Sequence, residues 1–156
     1  MSEVSRLIEP PEFKEEPEYE VSLVLPPHID AVWAKVRVIL EPAIERSYGR
    51  WNAHALRMAC LAGQQQLWVV FDDQSEIVGA GTTEFVDYPA RRILAVQFLG
   101  GKDLEKWISI ISERVEPWAA QHGADGVEAV AREGFWKALS KQGWKKSFQV
   151  FEKGLT

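Results

Sequence analysis

Ile29, Val32, Trp33, Val36 and Leu40 recur at the i, i+3, i+4 spacing that puts side chains on one face of a helix. A helix is predicted from about residue 28, and Pro42 should break or kink it. Asn52 is placed to cap a second helix carrying Leu56, Ala59 and Cys60, which stops near Gly63. A third apolar stripe, Leu104, Trp107, Ile108, Ile111 and Val115, predicts a helix over 103–122, bent near its end by Pro117 and closed by Gly123. A shorter helix is predicted over 133–142. Between these stretches lie β-rich runs at 19–25, 67–71, 76–85, 91–99, 126–131 and 146–153. Asp72-Asp-Gln-Ser75 reads as the hairpin turn between the second and third runs. The order β-α-α-β-β-β-α-β-α-β predicts an antiparallel meander followed by a strand–helix–strand crossover, with helices packed on the sheet.

Composition narrows this picture. The chain has 156 residues, 46% of them hydrophobic, which suits one domain with a full core. Its net charge of −5 is concentrated at one end: residues 1–20 hold seven Glu against Arg6 and Lys14. Residues 1–18, rich in Pro and Glu, read as an acidic arm, and 19–156 as the folded domain. The remainder is electrically balanced, so broad contact with nucleic-acid backbones is not expected. No apolar run reaches membrane-spanning length, and the acidic start carries no secretory signal pattern. Cys60 is the only cysteine, and it falls on a buried helical phase. His28, His54 and His122 are scattered without partners at metal-ligand spacing, so no metal is expected.

Three local patterns then carry a family resemblance. Residues 62–70 (AGQQQLWVV) resemble the second helix end and second strand of the GNAT fold, the N-acetyltransferase superfamily. Residues 76–82 (EIVGAGT) resemble its third strand, and Gly134 to Lys146 resemble its last helix with the Gly143-Trp144 exit. The resemblance covers roughly 20–155. It implies an α/β (α+β) three-layer fold, with a mixed, mostly antiparallel sheet of about six to seven strands and helices on both faces. The sequence Arg132-Glu-Gly-Phe-Trp136, with Leu139 and Gly143-Trp144, is further similar to small GNAT-like proteins encoded by tailed bacteriophages.

Two departures bear on function. The superfamily's donor loop winds around the acetyl-CoA pyrophosphate through an arginine or glutamine and spaced glycines. Here Gln97, Phe98 and Leu99 run straight into Gly100, Gly101, Lys102, Asp103 and the helix. If CoA binds, these seven residues form its site, with the N–H groups of Gly101, Lys102 and Asp103 as phosphate donors. Alternatively Gly100-Gly101 is a plain turn, and the Asp103 carboxylate caps the helix and occupies those donors itself. The resemblance also places Leu139 where many relatives carry an acid tyrosine. Glu84 and Glu128 are the candidate bases, since an ammonium must lose a proton before it attacks an acyl carbon.

Two readings follow. The first is a non-catalytic phage virion or assembly component that needs no cofactor. It would bind phage structural proteins, or a second copy of itself, through the acidic arm, in the virion or host cytoplasm. The second is an acetyl-CoA-dependent N-acetyltransferase acting on an amine of a small molecule or protein.

Overall fold

The computed structural model describes residues 18–156. The acidic arm expected over 1–18 therefore lies outside the described residues, apart from Glu18. Five strands form one sheet in sequential order: β1 (Glu20–Val24), β2 (Gln66–Phe71), β3 (Ile77–Asp87), β4 (Arg92–Gly101) and β5 (Gly126–Ala129). β1 to β4 are antiparallel neighbours, and β5 joins β4 in parallel. The helices are α1 (Ile29–Glu45), α2 (Ala53–Leu61), α3 (Leu104–Gln121) and the six-residue α4 (Trp136–Lys141).

The sheet buries both faces. On one, Ile29, Trp33, Val36 and Leu40 of α1 join Leu56 and Cys60 of α2 over Leu67, Val69, Ala80 and Phe98. On the other, Trp107, Val115 and Ala119 of α3 pack on Val21, Trp68, Val70 and Leu94. The alternation along β2 is clear: Leu67 and Val69 face α1 and α2, while Trp68 and Val70 face α3. The three layers follow from period-2 strands sandwiched between apolar helix stripes.

Asn52 caps α2 as its sequence position suggests: its Oδ1 accepts from the Ala55 N–H at 2.8 Å. Asn52→Ala should cost about 1 kcal/mol. For a chain of this size that lowers the Tm by roughly 2–4 °C, readable by calorimetry.

Three expectations about helix and strand extent are corrected. Pro42 does not end α1, which runs on to Glu45 with Pro42 inside it. The proline removes the hydrogen bond to the carbonyl of Val38, a residue 64% exposed, so water replaces the lost donor at little cost. Among the described residues the sheet has five strands rather than the six to seven expected. Residues 146–153 form no strand: the segment pairs with no strand of the sheet, and without a ladder an extended run is not a strand. The helix expected over 133–142 is also shorter: one 3-10 turn, Glu133–Phe135, and then α4.

Candidate functional site

β4 holds one residue more than its partner needs. Thr82 pairs with Phe98 and Thr83 with Val96, so Gln97 bulges out of the β3–β4 ladder. The parallel ladder to β5 runs from Ile93 to Val96 and stops there, next to the bulge. Beyond Val96, β4 stays with β3 and leaves β5. The two strands therefore part into a wedge with Gln97 at its apex.

Residues directly opposite on neighbouring strands share a face. Leu94 and Val127 are paired, and both belong to the α3 side. Ala95 therefore turns to the α1/α2 side, along with its partners Glu84 on β3 and Glu128 on β5. The two half-buried carboxylates flank small Ala95, with backbones about 10 Å apart at two inter-strand spacings. Each has a donor. Gln97 Nε2 donates to Glu84 Oε2 at 3.2 Å, and Tyr88 Oη donates to Glu128 Oε1 at 3.3 Å. The Glu128 charge, then burial and this hydrogen bond, hold the Tyr88 phenol above its ordinary pKa, so it remains protonated as a donor.

On the α3 side the strand enters the helix through a tight turn. Gly101 sits at φ +138°, and a Cβ there would lie 2.4 Å from the Val78 carbonyl oxygen. Lys102 N–H donates to that carbonyl at 3.0 Å. Trp107 Nε1 donates to the Lys102 carbonyl at 2.6 Å, and its indole lies flush on Gly79, where a Cβ would meet it at 2.5 Å.

Asp103 does not cap the helix as expected. It adopts the left-handed conformation, φ 55° and ψ 42°, and its side chain makes no cap hydrogen bond. Capping needs an extended N-cap backbone to bring the carboxylate over the first-turn amides. The Lys106 N–H bonds the Asp103 carbonyl at 2.8 Å. Among the described residues, the N–H groups of Asp103, Leu104 and Glu105 have no hydrogen-bond acceptor. They carry the positive end of the α3 dipole.

The sequence candidates therefore divide. Glu84, Gln97 and Glu128 come together on the α1/α2 side of the wedge, and Asp103 stands at the head of α3. Phe98 is buried and meets Trp51 edge-on at 6.1 Å, and Leu99 packs in the α3 core. Gly100 admits α1, since a Cβ would come 2.7 Å from the Ile39 carbonyl oxygen. Gly101 stays in the ladder opposite Gly79, and the Lys102 amide is occupied. Sequence reasoning missed the Leu104 and Glu105 amides and the Tyr88–Glu128 contact. A hint for the contact was the short turn Tyr88-Pro89 between two strands. No group of three or more His, Cys, Asp or Glu gathers at metal-binding distance among the described residues. Nor is any described helix long and apolar enough to cross a membrane.

No family model matches the chain, and no curated protein matches its sequence. Solved structures do match its fold. An aminoglycoside acetyltransferase from an uncultured soil metagenomic sample aligns with a TM-score of 0.65 at 15% identity, over 89% of this chain and 99% of that one. A predicted acetyltransferase from Clostridium acetobutylicum, solved with acetyl-CoA, gives 0.63 at 12% identity, over 88% and 97%. A structure described as a probable acetyltransferase gives 0.66 at 9% identity, over 88% and 98%. The chain shares with these structures a GNAT-like fold.

Proposed function

We propose that this chain is an acetyl-CoA-dependent N-acetyltransferase acting on an amine of a small molecule or protein. The observation that carries the reading is the wedge at Gln97. Two supported carboxylates stand on its α1/α2 side, and at the head of α3, which follows the same strand, three backbone amides have no acceptor among the described residues. The amides of Asp103, Leu104 and Glu105, with the exposed Lys102 beside them, fit the diphosphate of a CoA donor. When bound, the donor supplies an acyl group activated as a thioester. The chain's own residues prepare the acceptor. The two carboxylates attract a cationic amine, and Glu128, on a strand that borders the wedge, takes the ammonium proton. Glu84 sits one strand further back and acts by fixing Gln97.

The second reading, a non-catalytic phage structural or assembly component, is favoured by one observation. Leu139 on α4 offers no proton where many enzymes of this fold place a tyrosine.

Acetyl-CoA separates the two. At about a hundred times its Kd it should stabilise the protein by about 2.7 kcal/mol, a Tm rise of roughly 5–10 °C. Thiol release with an alkylamine acceptor should accompany the shift. An unchanged Tm at millimolar acetyl-CoA, with no thiol released, rejects the enzyme reading.

A further inference from the structure

We propose that this fold holds an internal water beneath α2, bound by the side-chain amide of Gln65 and the hydroxyl of Thr82. Both side chains are buried, at 2% and 0% exposure. Yet Gln65 Nε2, Gln65 Oε1 and Thr82 Oγ1 have no hydrogen-bond partner among the described residues. Native folds rarely leave such groups unpaired in an apolar interior, and internal water is the usual remedy. The two residues lie on one side of the sheet. Thr82 on β3 stands opposite Leu67 on β2 and Phe98 on β4, both part of the α1/α2 core. Gln65 comes two residues before Leu67, and strand alternation turns it to the same side. The backbone agrees: the Gln65 N–H donates to the Ala59 carbonyl of α2 at 3.2 Å, which draws the residue in under that helix.

The neighbouring Gln–Thr pair shows why water is needed here. Gln66 and Thr83 stand directly opposite each other, and the Thr83 hydroxyl donates to Gln66 Oε1 at 2.9 Å. Gln65 and Thr82 are each displaced one step from that pair, in opposite directions. They are diagonal neighbours with backbones about 7–8 Å apart, a gap suited to a bridge rather than a direct bond. The chemistry selects water. An amide and a hydroxyl are neutral, and each both donates and accepts. Cys60, in the same core, adds no charge, because burial pushes its thiol up to about 11. The three unpaired atoms match the about three hydrogen bonds that an internal water makes. Arg92 Nε is also unpaired, but its guanidinium lies over Phe85 on the α3 side. Two positions beyond Thr82 on β3 is Glu84, which accepts from Gln97. The water is thus the closed end of a polar strip that opens at the wedge. It ties the turn after α2 to the strand that carries Glu84.

The test needs neither CoA nor an amine, so it stands or falls apart from acetyl transfer. A crystal structure of the full chain is expected to show a water within hydrogen-bond distance of Thr82 Oγ1 and the Gln65 amide. The Thr82→Val structure should lack it. Urea titrations of the parent, Thr82→Val, Gln65→Met and the double variant give the energetic side. Valine keeps the shape of threonine and removes only the hydroxyl. Each single change should lower the folding constant about fivefold. The double change should lower it by clearly less than the product of the two, because one water serves both side chains. A parent crystal with no water between the two groups, or with both bonded directly to protein atoms, overturns the proposal. So does a Thr82→Val variant that raises the folding constant, since replacing an unpaired hydroxyl by a methyl group is neutral or stabilising. If Gln65→Met fails to fold, the parent crystal and the sign of the Thr82→Val effect still decide.

Discussion

Glu128→Gln is expected to lower kcat/KM for acetyl transfer to an alkylamine by about 10²- to 10⁴-fold at pH 7, the usual worth of a positioned base. The amide keeps the shape and still accepts a hydrogen bond from Tyr88, so the fold should be untouched. Only proton removal is lost. Alkylamines of pKa near 10.4 are almost wholly protonated at pH 7, and their free fraction rises about tenfold per pH unit. The deficit of the variant should therefore shrink by about that factor for each unit of pH. Glu84→Gln should behave differently. It disturbs a side chain that orients Gln97, so a loss of roughly tenfold is expected, with the same slope against pH as the parent. Initial rates across pH 7–10 measure both. Equal losses with parallel pH profiles would remove Glu128 from the role of base.

Trp107→Ala should destabilise the fold by about 3–5 kcal/mol, as buried aromatic truncations do. The indole is fully buried and fills the space between Gly79, Gly101 and the α3 core. It also tethers the Lys102 carbonyl at the head of α3. Gly79→Ala tests the same contact from the other side. In the parent its methyl group drives into the ring, and overpacking of this kind costs about 1–3 kcal/mol. In the Trp107→Ala background the ring is gone and the methyl has room. The two costs should then fall short of adding by at least 1 kcal/mol, whereas distant sites add. Urea titrations of the four proteins read this coupling directly. Simple additivity would mean that the ring moves off Gly79 freely.

The three-layer arrangement was legible because it is written in local periodicity. Ile29, Trp33, Val36 and Leu40 are all buried, as their spacing requires, and Asn52 caps where its side chain permits. The features that make the site were not legible, because each depends on partners far away in the chain. A bulge is a mismatch between two strands, and no single strand displays it. Gln97 only interrupted an apolar run. Asp103 had the residue type of an N-cap, but between the Gly101 turn and the Trp107 tether its backbone is left-handed and its side chain makes no cap hydrogen bond. Tyr88 meets Glu128 across 40 residues of sequence. The pattern at 146–153 is a genuine strand signal, but a strand exists only where a ladder accepts it.

The seam between β4 and β5 is four residue pairs long, parallel, and at the rim of the sheet. Hydrogen exchange should therefore be faster at its amides than at those of the β2–β3 centre. If the proposed donor enters between β4 and β5, local opening of that short ladder, with both cores intact, would be enough to admit it.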